Sequence, residues 1–403
     1  MFSPADSPKV FNPLNSDHFP EPIPHLRASR ANCPVSTPRD GLHVFSLDED
    51  VRSVLADTEN YSNNGNFSIE REDVPLEFQT ITNADDPLHA DLRDRLRKNF
   101  APTHLRTLRP WVEGIVASAI AALPDHGEIE LFEEFVRVIP ASVMHTFIGI
   151  PREAWSQAQA WGNVIVETVP GPLDVLPEFG QLLALLGSLV AQRKARPDER
   201  SEDALDNLCF PAPGEREMPD GEIVTHIFQL VVAGTDTTRS LIANCIWRLL
   251  EDPNGWDAVV RDRALLPNAV EESLRLDSPA QFLVRTVKSD GIVRGCPISE
   301  GDKVYLSLQS ANLDEKTWGP SADRFDPPRE GAAAHLAFGR GIHACLGAPL
   351  ARIEAIAAIE ALMDRYPTMR LSPRAKWVNT GGSITRRPEQ VLVALAPDPR
   401  LDA

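Results

Sequence analysis

The stretch from Glu222 to Glu251 contains no proline, whereas Pro219 precedes it and Pro253 follows it. Prolines outside a run and none within it predict one uninterrupted helix. About thirty residues of helix span roughly 45 Å, the diameter of a sizeable domain. The apolar residues lie on nearly every side, which predicts a helix buried through the centre of the fold. Its middle reads Ala233-Gly234-Thr235-Asp236-Thr237-Thr238. A mid-helix glycine costs about 1 kcal/mol against alanine, and Thr and Asp are poor helix formers. A core helix that concentrates them at its centre gives up stability locally, as functional sites do. The plain alternative is a kinked helix whose threonine hydroxyls bond back to carbonyls four residues earlier.

A second stretch, Phe338–Gly347, reads FGRGIHACLG. Gly339 and Gly341 let the backbone turn where a Cβ would clash. After Cys345, Leu346-Gly347-Ala348-Pro349-Leu350 lead into an Ala-rich helical run, Ala351 to Arg365. A thiol just before a helix start meets unpaired N–H groups and the positive end of the helix dipole, and both favour thiolate. Such a sulfur is a metal ligand or a nucleophile, and the plain alternative is a structural cysteine near a turn. Zinc fits poorly, because His343 and Cys345 have no paired CxxC or HxxxH elsewhere.

The order F-G-x-G-x-H-x-C-x-G resembles the haem-ligating loop of the cytochrome P-450 family, and Phe338, Gly339, Gly341, His343, Cys345 and Gly347 match all six fixed positions. The resemblance implies haem b with the Cys345 thiolate on its iron, which favours O–O cleavage. Ala233–Thr238 is similar to the family's oxygen-binding motif. It implies that Gly234 leaves room for dioxygen, that Ala233 lies against the cofactor, and that Asp236 and Thr237 deliver protons as acid and alcohol. Four further residues match positions that hold the haem propionates: His89 and Arg93, four apart on one helix face, Arg285 in FLVRTV, and His343. Glu272 and Arg275 form the family's E-x-x-R pair, with Arg324 as the expected third member of a structural brace. Ser310-Ala311-Asn312-Leu313-Asp314 resembles S-A-N-R-D, with Leu313 replacing the usual arginine.

The 403 residues suit one large enzyme, and the resemblance covers essentially all of them as a single domain, 1–403. It implies a mainly α fold with a small β region, the haem lying between the long central helix and the Cys-loop helix. Residues 1–30 are Pro-rich and are expected to wrap the surface. Residues 41–47 alternate like a short strand, and 62–86 are polar and irregular, as a lid or functional loop would be. No window reaches about 18 consecutive apolar residues, so no membrane span is expected. The N-terminus lacks the basic-then-apolar layout of a signal peptide, and five scattered cysteines argue against a disulfide framework. Both point to the cytoplasm. A net charge of −18 argues against nucleic acid as partner. Arg93, Arg95, Arg97, Lys98, His104, Arg106 and Arg109 nonetheless form a basic run, either a solvated helix face or a docking patch.

The expected activity is monooxygenation: one atom of O2 enters a C–H bond, or an O- or N-alkyl group is removed. The chain carries no flavin or iron–sulfur motif, so electrons are expected from NAD(P)H through an external ferredoxin and its reductase. The substrate is expected to be a small, mostly apolar or aromatic molecule, facing Val232, Ala233, Phe282, Leu283 and Ile384, and the protein is expected to be a monomer. The alternatives are a peroxide-dependent peroxygenase and a haem protein that binds a small molecule without turnover.

Overall fold

The computed structural model describes residues 9–66, 68–69, 74, 79–168, 175–201, 203–252, 254–380 and 384–395. The acidic cluster Glu70–Asp73, the Pro170-Gly171-Pro172 turn and Ser383 lie outside the described residues. The helices begin with α1 (Pro22–Asn32), α2 (Asp48–Ala56), α3 (Leu88–Arg97), α4 (Pro102–Ala121), α5 (Val138–Ile148), α6 (Trp155–Thr168) and α7 (Pro177–Lys194). They continue with α8 (Ala204–Cys209), α9 (Asp220–Glu251), α10 (Gly255–Arg261), α11 (Leu266–Leu276), α12 (Leu308–Ala311), α13 (Glu315–Trp318) and α14 (Ala348–Arg365). The strands are β1 (Val35–Arg39), β2 (Leu42–Phe45), β3 (Tyr61–Ser62), β4 (Glu128–Glu130) and β5 (Phe282–Val287). Then come β6 (Gly291–Val293), β7 (Cys296–Ile298), β8 (Lys303–Ser307), β9 (Arg370–Leu371) and β10 (Leu392–Ala394). Helix dominates and the strands are few and short, as expected. Among the described residues no helix is long and apolar enough to cross a membrane.

The chain forms two compact units. The first comprises Met1–Val74, Asn268–Cys345 and Trp377–Glu389. Its five-stranded sheet has the order β1-β2-β8-β5-β3. Strand β8, buried at all five positions, runs parallel to β2 with Leu42 opposite Lys303, and antiparallel to β5 with Phe282 opposite Ser307. Alternate residues feed different cores. Leu42, Val44, Phe282, Val284 and Tyr305 share one, while Phe45, Val287, Val304 and Leu306 share the other. The N-terminal segment does more than wrap a surface. It forms α1, and Phe11 and Leu26 enter the first of these cores at 3% and 2% exposure.

The second unit comprises Pro75–Pro267, Leu346–Lys376 and Gln390–Ala403. Helix α9 is its axis, 32 residues long, with α5, α6, α7, α8 and α14 packed around it. Its C-terminal half, from Thr238 to Trp247, is buried at every position. Helix α14 lies against α4 and α9, and its Ala355, Ala357 and Ala358 are buried. A three-stranded sheet, β4-β10-β9, completes the unit.

Candidate active site

In the first unit, the cysteine loop is built on two left-handed glycines, Gly339 at φ +66° and Gly341 at φ +75°. Gly341 is required twice over, because a Cβ there would stand 2.8 Å from the Leu55 carbonyl oxygen at the end of α2. The loop closes on itself: the Cys345 N–H donates to the Phe338 carbonyl at 2.8 Å, and the Gly339 N–H donates to Leu336 at 2.8 Å. Cys345 is exposed, unlike the buried Cys209 and Cys245, which removes the reading of a core cysteine. Gly347 is the residue before the first turn of α14.

The loop's support comes from α11. Arg275 donates to both carboxylate oxygens of Glu272, at 2.7 and 2.8 Å, and both side chains are fully buried. The third member is Arg329 rather than the expected Arg324: Arg329 Nε lies 2.8 Å from Glu272 Oε1. Arg324 is exposed and contributes only its carbonyl, which accepts from Arg275 at 3.1 Å. The physical reason is the turn at Asp326–Arg329, which brings the later guanidinium inward, where it also donates to the Ser321 carbonyl at 2.8 Å. The signal in the sequence was a second arginine five residues on. Leu313, in place of the family's usual arginine, is buried at 2% exposure.

The same unit holds Arg285, 3% exposed on β5, with one guanidinium nitrogen on its neighbour's carbonyl, Val284 O, at 2.9 Å. Of the residues expected to face substrate, Phe282 is core: it is 4% exposed and its ring stacks on Tyr305 at 4.3 Å. Leu283 and Ile384 are half-buried. Leu283 packs beside Gly339, where a Cβ would come within 3.7 Å of its Cδ1. The Ile384 carbonyl accepts from the Gln281 N–H at 2.9 Å.

In the second unit, the centre of α9 divides by face. Ala233 is exposed, while Val232 and Thr237 are half-buried. The Thr237 hydroxyl donates to the Ala233 carbonyl at 2.8 Å and that of Thr235 to Val231 at 2.7 Å, the back-bonding pattern of helix threonines. Asp236 is 8% exposed and ion-paired one turn along its own helix, with Arg239 Nε at 2.6 Å from Oδ1. Arg239 in turn donates to Asn163 of α6 at 3.2 Å and lies over the Phe132 ring. A Cβ on Gly234 would meet Met144 Sδ of α5 at 2.5 Å, so the missing side chain admits Met144.

Helix α3 carries His89 and Arg93 on one face. His89 is 2% exposed, its Nδ1 lies 3.4 Å from Asp86 Oδ1, and burial lowers its pKa against the opposing pull of Asp86. Most of the basic run is neutralised. Arg95 is buried against Asp91, Arg97 pairs with Asp94, Lys98 with Glu215, and Arg109 with Glu113 and Glu360.

The residues present fit a haem. An exposed thiol in a loop pinned by its own hydrogen bonds can serve as one soft axial donor. Among the described residues no group of three or more His, Cys, Asp or Glu could hold a metal ion. Arg285 and Arg93 are cations of the kind that bury carboxylates.

A family model described as Cytochrome P450 matches residues 180–392. A putative cytochrome P450 of Bacillus subtilis, YjiB, is 30% identical, covering 89% of this chain and 91% of its own. A vitamin D(3) 25-hydroxylase of Pseudonocardia autotrophica is 31% identical, over 87% and 88%. The crystal structure of CYP109E1 from Bacillus megaterium in complex with corticosterone superposes with a TM-score of 0.83 at 28% identity, over 94% of this chain and 100% of that one. On the cysteine loop, the α11 brace and these matches, the chain belongs to the cytochrome P450 family of haem-thiolate monooxygenases.

Proposed function

We propose that the chain hydroxylates, or oxidatively dealkylates, a small and mostly apolar or aromatic molecule, drawing electrons from NAD(P)H through an external ferredoxin and its reductase. The observation that carries this reading is the exposed Cys345 at the end of a backbone-closed loop. Cys345 is the iron ligand, with Phe338, Gly339 and Gly347 shaping its approach and Ala233 against the cofactor. His89, Arg93, Arg285 and His343 hold the carboxylates of haem b. The bound haem supplies the one-electron and dioxygen chemistry.

Asp236 and Thr237 supply protons. The Thr237 hydrogen is committed to the Ala233 carbonyl, so its oxygen accepts first and donates only after the hydroxyl turns. The Asp236 carboxylate is balanced by Arg239, so delivering a proton requires it to swing away from that guanidinium. Gly234 serves helix packing, and Phe282 holds the sheet core. The remaining residues assigned to substrate, Val232, Ala233, Leu283 and Ile384, are all apolar, and relatives named for vitamin D(3) hydroxylation or holding corticosterone support an apolar substrate. The match of relatives over about nine-tenths of the chain supports reading it as one catalytic unit.

The test is the absorption spectrum of the reduced, carbon-monoxide-bound protein. A strongly red-shifted Soret band in the wild type, absent in Cys345→Ala, is expected, and protein purified without haem would overturn the reading. Turnover with a ferredoxin system set against hydrogen peroxide then separates monooxygenase from peroxygenase.

A further inference from the structure

Helix α11 presents two adjacent carboxylates, and the brace uses only one. Beside Glu272, Glu271 reaches the start of the cysteine loop: its Oε2 lies 3.3 Å from His335 Nε2. The side chains are 12% and 1% exposed, so the contact is shielded from water. The other ring nitrogen, Nδ1, accepts the Ala337 backbone N–H at 3.1 Å. A nitrogen that accepts carries no hydrogen, so the proton of the neutral ring sits on Nε2, on the side of the carboxylate. The approach is electrostatic rather than a well-aligned hydrogen bond, because Nε2 makes none.

From His335 the contact runs to the thiol in short steps. Its ring lies 5.7 Å from that of Phe338. The intervening Leu336 N–H donates to Asn312 Oδ1 at 2.7 Å, and the Leu336 carbonyl accepts from Gly339 at 2.8 Å. The Phe338 carbonyl then accepts the Cys345 N–H. Asn312 itself belongs to the brace, since its carbonyl accepts from Arg275 at 2.8 Å. One helix therefore fixes the loop twice, Glu272 through the arginines and Glu271 through His335.

We propose that His335 is a positioning residue for the Cys345 ligand, held by Glu271, and that this tie keeps the sulfur bound to iron as thiolate. The proposal rests on the haem-thiolate reading above. The charge–imidazole contact holds the residue three before Phe338, and the hydrogen bonds of 336–339 transmit that position to the carbonyl on which Cys345 closes. His335 touches neither substrate nor cofactor in this assignment.

The experiment follows the reduced carbon-monoxide spectrum of purified holoprotein through time at mild urea concentration, with haem content and far-ultraviolet circular dichroism recorded in parallel. The variants are His335→Leu, His335→Gln, Glu271→Gln and the double change His335→Leu/Glu271→Gln. Loss of a contact worth the usual amount for a buried charge-assisted pair speeds conversion from the thiolate band to the non-thiolate band by about tenfold. His335→Leu and Glu271→Gln are expected to show this acceleration while the helical signal is unchanged. His335→Gln, whose amide keeps a polar N–H facing Glu271 and an oxygen able to accept from Ala337, stays near wild type, and the double change is no faster than either single one. Conversion of His335→Leu at the wild-type rate, or conversion that tracks loss of helical signal in every variant, would overturn the tie. A wild type without a thiolate band instead removes the reading beneath it, so the two failures are told apart before any variant is compared.

Discussion

At the scale of single residues, the brace separates what the motif specifies from what only folding decides. Glu272 and Arg275 were legible because i, i+3 spacing places them on one face, but the sequence offered two arginines for the third place. The outcome is testable. Arg329→Ala leaves part of a fully buried carboxylate uncompensated and is expected to cost about 3 kcal/mol in urea unfolding. Arg324→Ala, which removes an exposed side chain and keeps the carbonyl, stays within about 0.5 kcal/mol; equal losses would restore Arg324 to the brace. Gly234 shows a related limit: a helix glycine signals close approach, and only the structure names Met144 as the side chain that approaches. Nothing in the pattern announced Glu354 of α14 either. It is 1% exposed, its Oε2 is buried without a hydrogen-bond partner, and burial raises its pKa well above the ordinary range. A carboxyl raised in the fold contributes stability that is present below its unfolded pKa and lost as pH rises through the folded one. Glu354→Gln, which keeps the shape and cannot ionise, is therefore expected to raise stability at pH 8 and to flatten its decline above pH 5. An unchanged slope between the two proteins counts against a neutral Glu354.

Among whole elements, proline punctuation located α9 and was less exact elsewhere. Pro219 ends up as the residue before α9, and Pro102, Pro177 and Pro349 sit in the first turns of α4, α7 and α14, where a missing N–H costs nothing. Pro140 lies inside the first turn of α5, and Pro110 lies within α4, so a proline did not always mark a boundary. What holds α3 to α9 was not visible at all, because it depends on Arg216 in an irregular stretch. Arg216 donates to Asp91 at 3.0 Å and to Glu222 at 2.8 Å, while Arg95 of α3 donates to the carbonyl of Arg216. The carbonyl and guanidinium of one residue thus join the helix of His89 and Arg93 to the first turn of α9. The Arg216 guanidinium is also the largest influence on Glu222, whose pKa falls to about 2. A carboxylate depressed in the fold contributes stability present above its unfolded pKa, about 4.5, and lost as pH falls toward 2. Arg216→Ala is expected to flatten the acid limb of the stability curve below pH 4.5 and to speed amide exchange in 88–97. An acid limb as steep as wild type would show that Glu222 is held by something else.

For the molecule as a whole, the fold class was legible because a long central helix and a Gly-rich cysteine loop leave few alternatives, whereas its charge balance was not. A basic run in a chain of net charge −18 reads as one positive patch, yet Arg95 turns inward and Arg97, Lys98 and Arg109 each find an acid nearby. Exposed pairs of this kind keep little long-range field. Arg106 is exposed and makes no ion pair among the described residues, so it carries the charge that an acidic ferredoxin would sense. Reduction of the haem by ferredoxin is then expected to slow by several-fold in Arg106→Glu at low ionic strength, with the difference fading as salt approaches about 0.5 M, where screening is short-ranged. Arg97→Glu and Arg109→Glu, whose charges are already balanced, are expected to have smaller effects, and substrate affinity stays unchanged in all three. Stopped-flow reduction across a salt series decides it. A rate in Arg106→Glu equal to wild type at low salt places the electron donor on another face, since an acidic protein with that face neutral has no other reason to favour it.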